Sequence, residues 1–242
     1  EKSCLSFGND EMTIFRPLLD FERQTLRNVL KFYEVDWIED PTNNDQSFER
    51  VRVRDLLAHC VEIGIDKNTI SQTALLMQSA KTALNHFASD CYEKFGSCNN
   101  GDIIFDFDEF SKQPLDIKRR LISAAQKWIS NQKYRPRLSQ VDGLINSIDE
   151  KITFSGSGTI CYFHENSIRI TREVNASVCE IEASNGVIYD RRWKLIARED
   201  CKDLTIKCLG EDGYTFLEPG IRKKIPYKTI IALPALFNDN NL

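Results

Sequence analysis

Two stretches of this sequence concentrate side chains that could do chemistry. The first is Trp37-Ile38-Glu39-Asp40-Pro41-Thr42-Asn43-Asn44-Asp45, which leads into Phe48-Glu49-Arg50-Val51-Arg52-Val53-Arg54. The planar fork of an arginine matches the oxygens of a phosphate. On a helix, Arg50 and Arg54 share a face while Arg52 points elsewhere. Two uses compete: a phosphate clamp, or solvated pairs with Glu49, Asp45 or Asp55 of the kind that contribute little. Pro41 disfavours the α region at Asp40, so the chain is extended there. Thr42, Asn43, Asn44 and Asp45 have short side chains that bond nearby backbone N–H groups. Asp40 and Asn43 are therefore expected to fix the turn rather than to react. A carboxylate beside an N-cap is stabilised as the anion and makes a poor general acid.

The second stretch runs from Lys118 to Arg137 and contains no acid. It holds Lys118, Arg119, Arg120 and Lys127, then Lys133-Tyr134-Arg135-Pro136-Arg137. An aromatic ring among cations suits an unstacked RNA base, with the cations on phosphates. The bland alternative is a solvated helix with Tyr134 plugging a turn. The candidate RNA contacts are thus Arg50, Arg52, Arg54, Lys118, Arg119, Arg120, Lys127, Tyr134, Arg135 and Arg137.

Other chemistry finds little support. No Ser/His/Asp set or pair of carboxylates stands at a catalytic spacing. The eight cysteines form no C-x-x-C pair and the three histidines sit apart, so no metal site is expected. Ser155-Gly156-Ser157-Gly158 lacks the Lys-Ser/Thr and helix of a phosphate loop and reads as a hairpin turn. No strand–glycine turn–helix cradle for a nucleotide is expected between Glu1 and Leu242.

The elements that position these residues change character along the chain. Residues 1–45 read as the end of an α/β domain: a strand at Met12–Phe15, a helix from Phe21 to Val35 and a short strand at Val35–Ile38. Such strands need a sheet to join. Residues 46–150 read as helical. A helix over 67–95 carries Ile70, Ala74, Met77, Ala80, Leu84, Phe87, Cys91 and Phe95 as one apolar stripe. A helix after Pro114 is predicted to bury Ile117, Leu121, Ala124 and Trp128. One after Pro136 is predicted to bury Val141, Leu144, Ile145 and Ile148. Ile103–Phe105 is a short extended segment. Residues 151–242 alternate in period two and read as a small antiparallel β domain. Its strands are expected at 151–155, 159–163, 167–173, 177–181, 187–196, 204–209 and 214–217, followed by an apolar tail over 225–236. The fold class is α+β.

Composition is that of a globular chain: 41% of its 242 residues are hydrophobic and 28% charged. The net charge of −4 argues against attraction of a polyanion to the whole surface and confines any such role to local patches. The cysteines read as reduced thiols, and no signal or membrane-spanning segment is visible, so a cytoplasmic location is expected.

The run Arg16-Pro17-Leu18-Leu19, then Trp37-Ile38-Glu39-Asp40-Pro41-Thr42-Asn43, then Arg50-Val51-Arg52-Val53-Arg54, resembles the tRNA(Ile)-lysidine synthetase family. Tyr134-Arg135-Pro136-Arg137 is similar to a Tyr-Pro-Pro-Arg segment of some members. The resemblance implies an ATP-dependent ligase that joins lysine to the wobble cytidine of an isoleucine tRNA. ATP, Mg and lysine would be bound by a PP-loop domain, and residues 46–150 would bind tRNA(Ile). A homodimer is compatible with it, and a membrane role is not implied. The family's Ser-Gly-Gly-x-Asp-Ser signature is absent here, so the ATP-binding domain is expected before Glu1, in roughly 100–200 further residues, with this segment inactive alone. A non-catalytic RNA-binding module and a helical protein scaffold remain alternatives. Salt-dependent RNA binding separates the scaffold from the other two.

Overall fold

A computed structural model of the chain describes residues 4–7, 12–15, 17–18, 21–197, 201 and 203–238. Arg16 and Leu19 lie outside the described residues. The fold is α+β, and the chain divides into two compact units, Glu1–Ala74 and Leu75–Leu242.

In the first unit, β1 (Cys4–Phe7) pairs antiparallel with β2 (Met12–Phe15). The strand expected at Met12–Phe15 therefore has a partner that the sequence reading missed. Helix α1 (Arg23–Phe32) follows. Residues 35–40 carry no regular secondary structure, with Asp40 extended, so the strand expected at Val35–Ile38 does not form. A single 3₁₀ turn, Pro41–Asn44, precedes α2 (Glu49–Glu62), and α3 (Lys67–Phe95) crosses into the second unit. Asp66 caps α3 by accepting from the Thr69 N–H at 2.6 Å. The expected stripe on α3 is only partly core. Cys91 is buried, as is its neighbour Ala88, whereas Ile70, Met77, Leu84 and Phe87 are exposed. Periodicity reports that a helix has an apolar face, not what covers it.

The second unit begins with the hairpin of β3 (Gly96–Asn99) and β4 (Asp102–Asp106), then α4 (Phe107–Ser111), α5 (Leu115–Ser130) and α6 (Leu138–Asp149). Next come β5 (Phe154–Gly156), β6 (Thr159–His164) and β7 (Ser167–Arg172). These strands form one antiparallel sheet in the order β3-β4-β7-β6-β5. Because β4 pairs with β7, the sheet draws strands from both sides of residue 150. The expected division there into a helical and a β segment does not describe how the strands pair.

One face of this sheet carries the apolar core. Ile103, Phe105, Cys161, Ile168 and Ile170 pack with Ile117, Leu121, Ile122, Ala125 and Ile129 of α5 and with Val141, Leu144, Ile145 and Ile148 of α6. The α6 face is the one its spacing predicts. The α5 face is rotated from the expected one, so Ala124 and Trp128 point out and Ile122, Ala125 and Ile129 point in.

After a 3₁₀ turn at Val174–Ala176 come β8 (Ile181–Glu182), β9 (Ile188–Tyr189), β10 (Trp193–Lys194) and β11 (Leu204–Cys208). The chain ends with α7 (Gly210–Phe216), α8 (Pro219–Arg222), α9 (Tyr227–Ile230) and β12 (Pro234–Asn238). Strands β12-β11-β8 form a second sheet, and β9 pairs with β10 as a short hairpin. The strand expected at 214–217 is instead part of α7. Gly210 at φ +67° turns the chain out of β11 straight into that helix. This turn is not suited to a nucleotide's phosphates, because Glu211 and Asp212 occupy the first turn of α7 and would repel a phosphate there.

Arg172, at the end of β7, ties these parts together. Its Nε donates to Asp190 Oδ2 at 2.8 Å and its Nη1 donates to the Gly158 carbonyl at 3.0 Å. Its Nη2 reaches both the Ala176 carbonyl and Asp190 Oδ1. Ser157 and Gly158 both have positive φ, 53° and 71°, as a two-residue hairpin turn requires. A Cβ on Gly158 would lie 2.6 Å from Arg172 Nη1. Arg172 and Asp190 are both buried. Removing one member of a buried ion pair leaves an uncompensated charge, at a cost of about 3–5 kcal/mol. Arg172→Leu is therefore expected to lower the unfolding free energy by about that amount in urea titrations. A change below about 1 kcal/mol would show that the pair is not needed for stability.

Candidate nucleic-acid interface

The predicted basic residues separate into those that pair with acids and those that do not. Arg119 makes a two-pronged contact with Asp142, at 2.7 and 2.9 Å. Arg120 donates to Asp116 and to Asn85, both at 2.6 Å, and its side chain is 17% exposed. Lys118 is 12% exposed, lies 3.8 Å from Asp149 and sits over the Phe110 ring. Their partners lie on α6, on α3 and one turn back on α5. These three cations join helix faces to one another, and Lys118 and Arg119 are poorly placed to meet a ligand.

Lys127, Arg135 and Arg137 are exposed, with no ion pair to a described residue. Tyr134 is 74% exposed, with Lys133 over its ring. The connection from α5 to α6 is shaped by Asn131 in the left-handed region at φ 47°. Asn131 Nδ2 donates to the Arg191 carbonyl at 2.8 Å, which draws the β9–β10 turn against the end of α5.

That juxtaposition makes a cleft of about 670 Å³ lined by Lys127, Trp128, Arg135, Arg191, Arg192 and Trp193, with Gly101 and Cys98 at its floor. No acid lines it. Arg192 lies over the Trp128 and Trp193 rings, 5.0 and 5.7 Å from their centroids, and donates to the Gly101 carbonyl. A Cβ on Gly101, at φ +76°, would meet Trp193 at 2.5 Å, so the approach of that ring requires a glycine. Arg191, Arg192 and Trp193 did not stand out in the sequence. They are separated from the basic stretch by about sixty positions, and no local pattern links the two.

Under this cleft the second face of the main sheet is polar. Thr229 of α9 donates to Asp102 and lies 2.6 Å from the Tyr162 hydroxyl, while Arg169 Nη1 is 3.6 Å from Asp102. Burial holds the Asp102 carboxyl above its ordinary value, against the opposing pull of Thr229, Thr171 and Arg169. The same burial pushes the Tyr162 phenol up to about 12.

A further basic cleft of about 460 Å³ has Arg222, Lys223, Lys224 and Lys228 around Tyr214 and Tyr227, again with no acid in its lining. The sequence reading missed this cluster as well.

In the first unit, Glu39 collects Arg23 at 2.8 Å, Arg27, and the indole N–H of Trp37 at 2.8 Å. The Trp37 hydrogen bond, then Arg27 and Arg23, hold the Glu39 carboxyl below its ordinary value. Asp40 accepts from the Thr42 N–H at 2.9 Å, and its carbonyl accepts from the Asn43 N–H at 3.0 Å. The Thr42 bonds hold the Asp40 carboxyl low, with Arg50 a smaller influence. Arg50 reaches Thr42 Oγ1 at 3.5 Å and covers the Phe48 ring; Arg52 reaches the Gln46 carbonyl at 3.4 Å. Arg54 is exposed with no ion pair to a described residue.

Among the described residues no group of three or more His, Cys, Asp and Glu side chains is placed to hold a metal ion. No helix of the described residues is long and apolar enough to cross a membrane.

Comparison with known proteins adds two findings. Residues 6–60 match the family model of the PP-loop domain. The expectation that this domain lies outside the chain is thereby corrected: the domain is represented here, and the match continues through most of α2 instead of stopping at residue 45. The chain is also 27% identical, over 233 residues, to a tRNA(Ile)-lysidine synthase of Ruegeria pomeroyi, covering 96% of this chain and 55% of that protein. It is 32% identical over 187 residues to one of Wolbachia pipientis wMel (74% and 42%) and 30% identical over 201 residues to one of the Wolbachia of Brugia malayi (78% and 46%). The chain spans about half the length of these curated relatives.

The buried Asp102 gives a pH test. A carboxyl with a raised folded pKa binds its proton more tightly in the folded state. Its contribution is complete below the ordinary aspartate value of 3.8 and is lost as pH rises through the folded value. Relative to the parent chain, Asp102→Asn should thus gain stability as pH rises from 3.8 towards neutrality, read from melting temperatures across that range. A constant difference between the two proteins would contradict the assignment.

Proposed function

We propose that this chain is part of a tRNA(Ile)-lysidine synthase, in which the first unit belongs to the ATP-using PP-loop domain and the second unit holds the tRNA. The whole protein would use ATP to activate the wobble cytidine of an isoleucine tRNA and join lysine to it. The observation that carries the tRNA-binding role is the acid-free cleft of Lys127, Arg135, Arg191 and two tryptophans in a chain of net charge −4. A polyanion is excluded from most of such a surface and drawn to the exceptions. Similarity to the named relatives supports this reading of the RNA and of the reaction.

Arg50, Arg52 and Arg54 remain candidate phosphate ligands on α2. Arg50 meets a hydroxyl and a ring and Arg52 a carbonyl, all of which a phosphate can displace more readily than a carboxylate. The residues described here provide no glycine cradle suited to the ATP phosphates, so no step of the ligation is routed through them. What they supply is binding and orientation. Asp40 and Asn43 hold the 3₁₀ turn ahead of α2 and keep its arginines in place.

The reading is tested in two assays. The protein containing this chain should incorporate labelled lysine into an isoleucine tRNA transcript only when ATP is present. In the chain itself, Lys127→Gln, Arg135→Gln and Arg191→Gln together should weaken tRNA binding. The slope of log affinity against log salt should flatten by about one unit per lost contact. Arg119→Gln should leave affinity within about twofold while lowering stability, because that cation serves Asp142. Binding without lysine incorporation would leave a non-catalytic RNA module. The reverse pattern, with Arg119 dominating, would return the interface to the face of α5 read from the sequence.

A further inference from the structure

The basic cleft does not end at Trp128. Cys98, Ala124, Trp128 and Arg135 also line an adjoining cleft of about 530 Å³. Its walls are mainly apolar, with Tyr92 and Phe105 on one side and Ala88, Leu121 and Ala125 among the rest. Asn85, Ser89 and Arg120 supply its polar groups. The two spaces therefore share a wall and differ in chemistry: one apolar and aromatic, the other cationic without an acid.

Trp128 stands at their junction and is 50% exposed. The α5 face buries its apolar residues thoroughly elsewhere, with Ile122 and Ile129 at 0%. A large ring left half in water at the end of that helix is not needed for the core. Arg192 covers part of the ring and is itself held by the Gly101 carbonyl, so the indole has a protein contact on one side that favours this placement. A rigid aromatic beside a row of cations loses little freedom on stacking with a flat partner.

We infer that the paired clefts take one unpaired nucleotide of the bound RNA, with its base in the apolar space against Trp128 and Tyr92. Its flanking phosphates lie on Lys127, Arg135 and Arg191. This rests on the RNA-binding reading above and assigns the site a specific ligand. A duplex keeps its bases stacked inside and offers only phosphates, so it would use the cationic cleft alone. An apolar peptide would fit the first cleft but not the acid-free second one. An acidic peptide would reverse that match.

The test uses the 242-residue chain carrying Trp37→Phe, so that emission comes from Trp128 and Trp193, both in the clefts. A short single-stranded oligoribonucleotide should quench this emission. The same strand with one abasic ribose at each position in turn should identify a position where affinity falls about tenfold or more. Trp128→Ala should cause a similar loss with the intact strand and no further loss with the abasic one. Trp128→Phe should recover most of the affinity. Because Trp128 is half exposed, its replacement should leave the melting temperature nearly unchanged.

Equal affinity of intact and abasic strands, or no effect of Trp128→Ala, would overturn the base site. So would an acidic peptide that displaces the strand and depends equally on Trp128. If the base site falls while tRNA still binds through Lys127, Arg135 and Arg191, the broader reading stands. If no RNA binds, both fall.

Discussion

A buried guanidinium sets the geometry on which the second unit depends. Arg172 has left water at the end of β7, and each of its donors must find an acceptor to offset that transfer. The acceptors come from three separate places: the β5–β6 turn, the 3₁₀ turn after β7, and Asp190. Satisfying the cation therefore fixes the path of the chain across all of them. Once Asp190 is held, the next residues have little choice. Arg191 offers its carbonyl to Asn131, and Arg192 bonds Gly101 between the rings of Trp128 and Trp193. The walls of the basic cleft thus follow from an ion pair that is itself out of reach of any ligand. The glycine at 158 belongs to the same device, since a methyl there would displace the guanidinium.

Charge alone would not locate the interface. Lys and Arg number 32 against 36 Asp and Glu, so the average field is weakly negative. A cation with no internal partner is the more readily available to a phosphate. A two-pronged pair such as Arg119–Asp142 would have to be broken before either member met a phosphate, and that cost cancels much of the gain. Lys127, Arg135 and Arg191 carry no such penalty. The acid-free stretch of sequence is a weaker indicator than it looks, because Asp142 and Asp149 return to it through α6.

This difference marks where reading from sequence succeeds and where it stops. Periodicity located α3 and the buried face of α6, and the Ser-Gly-Ser-Gly segment was legible as a hairpin. These are properties of adjacent residues. The pairing of β4 with β7 joins positions more than sixty apart, and nothing local to Ile103–Phe105 announces it. The α5 face was misread because Ala124 and Trp128 are apolar and correctly spaced, yet the sheet lies against the neighbouring stripe. The same misreading hid the role of Trp128. Tyr214 to Leu217 alternates weakly enough to suggest a strand, but a positive φ at Gly210 commits the segment to a helix first. The basic stretch was visible; which of its members remained available was decided by partners on other elements.

Pairing divides the cations of the first unit in the same way. Glu39 takes up Arg23 and Arg27 together, and with them the indole N–H of Trp37, so one carboxylate ties α1 to the segment that precedes the 3₁₀ turn. Those interactions hold the carboxyl below its ordinary value, which favours its ionised form. Arg23 and Arg27 are consumed by it. Asp40 is likewise committed, to Thr42, and Asp45 to the Ser47 N–H. The acids nearest to α2 are thereby spent on backbone and on α1 rather than on the arginines of α2. Arg50 is left with a hydroxyl and a ring and Arg52 with a carbonyl, and Arg54 is exposed. The acidic turn and the arginine helix, which in sequence look like a ready set of salt bridges, instead form no ion pair among their described residues, and Arg50 acts on Asp40 only as a smaller influence than the Thr42 bonds. A cation that is not already locked to a carboxylate is the one a phosphate can engage without first breaking a pair.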